Sequence, residues 1–192
     1  DSGEIWNSEG NYATSCSFYT HRKISQETND KAVAFGTRGW AATIAGGISK
    51  TFLYTTHNTD NVNVGGLMTL IDYDRSVNPE AAATATTAYL IDGLKPVRGL
   101  DTAVPGLKLA VFVGGGRLTA LVWDDLLVRG RKTLDVSALP ARFLGLGRAY
   151  RVLDAMGNAL DGKREVGFVP YFVTVENEDV NALIAALVAA VR

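Results

Sequence analysis

Leu107-Lys108-Leu109-Ala110-Val111-Phe112-Val113-Gly114-Gly115-Gly116-Arg117-Leu118-Thr119-Ala120-Leu121-Val122-Trp123 is the stretch on which the fold turns. Two apolar, β-branched runs, residues 107–113 and 117–123, flank three consecutive glycines, and glycine enters the positive-φ region of a tight turn without steric cost. The spacing predicts an antiparallel hairpin. A phosphate-cradling loop would need a helix after the glycines, with a lysine and a serine or threonine in place, whereas here a second strand follows.

Downstream, the strand pattern continues at residues 132–136, 149–153 and 171–176, with Asp154-Ala155-Met156-Gly157-Asn158 as a turn. From Asp179 the residues Val180, Leu183, Ile184, Leu187, Val188 and Val191 recur at helical spacing, which predicts an amphipathic helix lying on the β layers. Upstream, the pattern changes across residues 94–106, where Pro96, Gly99, Pro105 and Gly106 fall. Before that break, strand and helix alternate. Residues 4–8 read as a short strand running into Glu9-Gly10-Asn11. From Asp30, a plausible cap, Val33, Trp40, Ala41 and Ile44 share a helical face that stops at Gly46-Gly47. Residues 48–56 form a strand opening into His57-Asn58-Thr59-Asp60-Asn61. A second helix starts at Asn78, with Pro79 in its first turn and Glu80 beside the positive end of the helix dipole, and runs to Asp92 before Gly93. The expected organisation is an α/β part over residues 1–94 and an antiparallel β-sandwich with a C-terminal helix over residues 95–192.

Composition narrows the function. The 192 residues are 47% hydrophobic and 20% charged, a globular balance rather than that of a disordered tail. The net charge of −1 gives no bulk field for nucleic acid or an anionic membrane, and neither is expected as a partner. A single cysteine, Cys16, cannot form an internal disulfide, and two histidines are too few for a histidine-rich metal centre. No metal and no cofactor are expected. No apolar run reaches the roughly 18–20 residues of a membrane span.

Cys16 with His21 or His57 as its base would be a nucleophile pair, but nothing in the local sequence singles it out, and the bland reading is a small half-buried residue. Glu9 is more informative. Strand alternation puts Ile5, Asn7 and Glu9 on one side and sets a carboxylate at the strand's carboxyl end, where parallel α/β sheets and barrels carry out their chemistry. The competing reading is a solvated or capping glutamate. Tyr54, late on its strand, and His57 and Asn58 in the loop beyond would share that rim. Rings beside polar groups suit sugars, and ordinary rim packing is the alternative.

These residues also carry a resemblance. Ile5-Trp6-Asn7-Ser8-Glu9-Gly10 resembles the strand-seven segment of retaining glycoside hydrolases of the clan A type, which have a (β/α)₈ barrel. Residues 40–54, with Gly46-Gly47 and Lys50-Thr51-Phe52-Leu53-Tyr54, resemble helix seven and strand eight of those enzymes. Residues 67–93, in which Asp72, Asp74 and Pro79 precede an alanine-rich helix ending Leu90-Ile91-Asp92-Gly93, are similar to their last barrel helix. The remainder resembles the β-sandwich that often follows the barrel, including Leu118-Thr119-Ala120-Leu121-Val122-Trp123 and Val152-Leu153-Asp154-Ala155-Met156-Gly157-Asn158.

The resemblance implies the last two β/α units of a TIM-type barrel and a double-displacement mechanism with Glu9 as nucleophile. It further implies a carbohydrate substrate, with Asn7, Tyr54, His57 and Asn58 binding it, and a secreted or periplasmic location. The acid/base carboxyl group of such enzymes ends strand four, which this sequence does not contain. Asp60, Asp72 and Asp74 fall on or after the last barrel strand and do not supply it. A full barrel takes about 250 residues. The chain is therefore expected to be the carboxyl-terminal part of a larger enzyme, inactive alone, with the N-terminal remainder of the same polypeptide as its partner. The alternative expectation is a non-catalytic carbohydrate-binding or cell-surface interaction module in which the β part does the binding. A nucleotide-binding domain is disfavoured, because no glycine-rich loop follows a strand and opens a helix.

Overall fold

The computed structural model describes residues 3–10, 26–53, 70–71, 75–97, 106–124, 132–135, 150–160, 163–176 and 179–190. They form two compact units, residues 1–87 and 88–192.

In the first unit, β1 (Trp6–Gly10) and β2 (Lys50–Leu53) pair in parallel. Between them lie α1 (Gln26–Ala34), a π-helical turn (Phe35–Gly39) and α2 (Trp40–Ala45). The helix therefore does not begin at Asp30, which sits a turn inside it. Ala32, Val33 and Ala34 are all buried there, and no glycine or proline interrupts the chain from Gln26 to Phe35. The expected face survives the π turn, with Val33, Trp40 and Ala41 buried.

The π turn exists where the chain passes α3 (Pro79–Ile91) very closely. A Cβ on Gly36 would stand 2.8 Å from both the Glu80 carbonyl oxygen and Thr84 Oγ1. Thr87 Oγ1 donates to the Gly36 carbonyl at 3.0 Å, a bond across 51 residues of sequence, and Thr37 Oγ1 donates back to Val33 O at 2.9 Å. The side-chain hydroxyls thus satisfy backbone groups that a π turn displaces. Glu80, expected beside the positive end of the helix dipole, does lie in the first turn of α3, and it is also fully buried with its Cγ beside Gly36.

The second unit is built on a five-stranded antiparallel sheet in the order β3-β4-β5-β9-β7. Its strands are β3 (Lys95–Val97), β4 (Leu107–Gly114), β5 (Arg117–Asp124), β7 (Tyr150–Leu153) and β9 (Tyr171–Val175). The expected hairpin is β4–β5, in register from Leu107 opposite Asp124 to Gly114 opposite Arg117. Gly115 and Gly116 have φ of +59° and +77°, the double positive φ of a type I′ turn. Asp154 fixes the later turn by accepting from the Met156 and Asn158 backbone amides, each at 2.9 Å. A separate antiparallel ribbon joins β6 (Lys132–Asp135) and β8 (Lys163–Val166).

Helix α4 (Val180–Ala190) is capped by Asp179, whose Oδ1 accepts from Ala182 N–H at 3.0 Å. As its spacing predicts, the helix lays one face on the β layers, with Asn181 and Ala185 exposed on the other. Leu183, Ala186 and Leu187 cluster with Val111, Leu118, Ala120, Val122, Val173 and Val166 of the strands. By alternation Phe112, Thr119, Leu121 and Phe172 occupy the opposite face of the sheet, and all four are fully buried. On that side Thr119 Oγ1 donates to the Leu90 carbonyl at 3.0 Å, tying the last turn of α3 to β5. Both faces of β5 are therefore covered, which explains its nearly unbroken apolar sequence.

Candidate functional site

Parallel pairing brings the carboxyl ends of β1 and β2 to one rim. The return from α2 is pinned by Ile48 N–H donating to Thr43 O at 3.2 Å and Ser49 N–H donating to Ile5 O at 2.8 Å. These two residues serve the turn, so β2 starts at Lys50 rather than at residue 48. The pinning sets the register: Trp6 stands opposite Lys50, Asn7 opposite Thr51, and Gly10 opposite Leu53.

Three steps along β1 thus match two along β2. Ser8 and Glu9 together occupy the ladder position opposite Phe52, a β-bulge. The strict alternation expected to join Ile5, Asn7 and Glu9 is interrupted here by the extra residue. Bulges of this kind concentrate at barrel rims and beside active sites.

Glu9 is the penultimate residue of β1, and half-buried Asn7 lies one ladder step before the bulge. The structure brings these two candidates to one strand end. Tyr54, His57 and Asn58 lie outside the described residues, as do Cys16, His21, Asp60, Asp72 and Asp74. No group of three or more metal-ligating side chains occurs among the described residues, and no helix among them is long and apolar enough to cross a membrane.

Four further residues assemble beside the bulge. Trp6 Nε1–H donates to Glu4 Oε2 at 2.9 Å, and Lys50 Nζ lies 3.3 Å from the same oxygen. That ammonium stands 4.3 Å from the Trp6 ring centroid. The Phe52 ring is 6.0 Å from Trp6, tilted by 51°. Trp6 and Phe52 remain 55% and 47% exposed. In the sequence each aromatic residue follows a charged one by two positions, Trp6 after Glu4 and Phe52 after Lys50, but only the pairing of β1 with β2 brings the two pairs together. The parallel register then sets Lys50 opposite Trp6, which brings its ammonium to the indole and to Glu4.

No protein-family model matches the chain, and no curated protein matches it in sequence. Its fold is similar to that of a glycoside hydrolase family 30 subfamily 8 xylanase from Clostridium acetobutylicum, with a TM-score of 0.58 and 6% identity over 90% of this chain and 42% of the other. A GH30 endoxylanase from Clostridium papyrosolvens aligns with a TM-score of 0.49 and 9% identity, over 91% of this chain and 42% of that one. An Anoxybacillus alpha-amylase aligns at 0.41 and 10% identity, over 91% and 38%. This chain spans less than half the length of each. At 6% identity the likeness to the first xylanase is one of fold.

Proposed function

We propose that the chain is the carboxyl-terminal part of a retaining glycosidase in which Glu9 is the nucleophile. Support comes above all from the register of β1: Glu9 shares a bulge at the carboxyl end of a parallel strand, in step with an exposed aromatic ring. The fold likeness to a family 30 xylanase, which runs over nearly the whole chain, adds to it.

On this reading β1 and β2 are the last two strands of a (β/α)₈ barrel that extends to residue 94, and the β part from Lys95 braces it. Glu9 attacks the anomeric carbon, the leaving-group oxygen takes a proton from a second carboxyl group about 5–5.5 Å away, and water then opens the glycosyl ester. That second carboxyl group belongs to the N-terminal remainder of the polypeptide, so these 192 residues alone do not turn over substrate. Asn7, Tyr54, His57 and Asn58 hold the sugar's hydroxyl groups and ring. Xylan, the polymer named for the similar enzyme, is the first substrate to assay.

The test uses the full-length protein. Glu9→Gln should lower kcat by several orders of magnitude, since the covalent step carries much of an acceleration of about 10⁶-fold or more. A 2-fluoro glycoside should add its sugar mass to the peptide containing Glu9. Turnover that survives Glu9→Gln excludes the assignment.

A further inference from the structure

Helix α3 ends at Ile91, and Asp92-Gly93 leads the chain from it toward β3. Side chains of β5 cap this helix end. Thr119 Oγ1 donates to the Leu90 carbonyl at 3.0 Å and Arg117 Nη2 donates to the Asp92 carbonyl at 3.2 Å, while Leu94 N–H returns to Ile91 O at 3.0 Å. Where a helix ends in a positive-φ glycine, the amide of that glycine ordinarily donates to a carbonyl three or four residues back. Gly93 has the required φ, +71°, but Leu90 O is taken by Thr119, and the Gly93 N–H donates to no group among the described residues. The amide is idle.

Asp92 is exposed, and its carboxylate likewise enters no hydrogen bond or ion pair among the described residues. A side chain this short reaches the backbone just beyond it. The next side chain usually obstructs that approach, and here there is none: even a Cβ on Gly93 would meet nothing within 4 Å. Of the two Asp-Gly pairs in the sequence, the other, at 161–162, lies outside the described residues.

We infer that Asp92-Gly93 is a site of isoaspartate formation, a property independent of the glycosidase reading. The Gly93 nitrogen attacks Cγ of the protonated Asp92 carboxyl group; the N–Cγ bond forms, a Cγ–O bond breaks, and the amide proton leaves with the hydroxyl group as water. The product is a five-membered imide. Water reopens it at either carbonyl carbon. Opening at Cγ restores aspartate, whereas opening at the main-chain carbon breaks its bond to the Gly93 nitrogen, frees that carbon as a carboxylate and routes the backbone through Cβ. The carbonyl that Arg117 holds is the one that becomes the new carboxylate, so the guanidinium gains a full charge to pair with. The backbone, longer by one methylene, pulls Leu94 N–H from Ile91 O and strains the β3–β4 pairing, which only three residues of β3 hold.

The tryptic peptide Ser76–Arg98 provides the test. Asp92 is its one aspartate, and its one asparagine, Asn78, precedes Pro79, which has no N–H to attack. The 192-residue chain and the free synthetic peptide are incubated side by side at neutral pH, and isoaspartate is counted with an isoaspartyl methyltransferase and located by fragmentation. The folded chain is expected to isomerise no more than about tenfold slower than the free peptide, since an exposed junction opens locally at little cost. In mildly acidic buffer the peptide from the folded chain should also appear lighter by one water. Asp92→Glu, whose ring would need six members, should abolish both signals, and the aged native chain should melt below Asp92→Glu aged alongside it. A folded chain that stays unmodified while the free peptide isomerises overturns the site, as does either signal persisting in Asp92→Glu. Equal melting of the two aged chains overturns the effect on β3. Should Asp92→Glu fail to fold, the imide mass and the fragmentation pattern of the native chain decide the matter.

Discussion

Gly36 has the least freedom to change among the described glycines. Two of the atoms its missing Cβ would meet at 2.8 Å are a backbone carbonyl and the hydroxyl of a helical threonine, neither of which is the end of a flexible side chain. Gly36→Ala should therefore destabilise the first unit by about 1–3 kcal/mol, the usual cost of overpacking, read as a lower denaturant midpoint. Tyr150 makes a prediction about alkaline pH. Burial holds its phenol proton above the ordinary tyrosine range. Below about pH 10 both folded and unfolded chains keep that proton, so stability does not change on its account. As pH rises through that value the unfolded chain ionises first and stability falls. Tyr150→Phe should remove this part of the alkaline loss, measured by denaturation of both proteins at pH 9 and 11. At this scale the sequence was legible for Asp154 and Asp179, which act through neighbours two to four positions away. It was not legible for Glu80. Its burial depends on a glycine 44 positions earlier whose close approach no local pattern encodes.

Among the elements, the β4–β5 hairpin was readable almost to the residue because glycines, alternation and β-branched side chains all agree there. Its turn can be tested directly. Gly115→Ala together with Gly116→Ala forces two side chains into left-handed backbone and should cost about 1–2 kcal/mol per residue. Gly115→Asn, which suits the first position of a type I′ turn, should leave the melting temperature nearly unchanged. Two strands escaped the sequence for different reasons. In β3 only three residues pair, and Pro96 argues against a strand. In β8 the run Lys163-Arg164-Glu165-Val166 has no apolar alternation, and its pairing comes from register with β6. The π turn is invisible to a search for a 3.6-residue period, since an inserted residue shifts the phase while leaving the apolar count intact.

At the scale of the whole molecule, Leu90 and Ile91 are buried and bound into the second unit, which runs from residue 88. A chain beginning at Ala88 should melt cooperatively. One beginning at Lys95 loses both side chains from the covered side of the sheet, roughly 1.5–3 kcal/mol each, and should melt lower and take up a hydrophobic dye. Equal melting of the two would move the boundary of the β part to Lys95. The change of pattern after residue 94 could be read from punctuation by proline and glycine, whereas the division at residue 87 falls inside α3. The meeting of Trp6 with Phe52 could not, because it depends on which strand lies beside which, and only tertiary pairing decides that.

The doubled rung at Ser8 and Glu9 has a consequence for how this segment can vary. Any side chain at position 8 leaves the count of residues between Asn7 and Gly10 unchanged, so exchanges there are silent with respect to the ladder. A single-residue insertion or deletion in the same place is not, for it re-indexes everything that follows against β2. At position 8 it is length, rather than spelling, that inheritance has to protect.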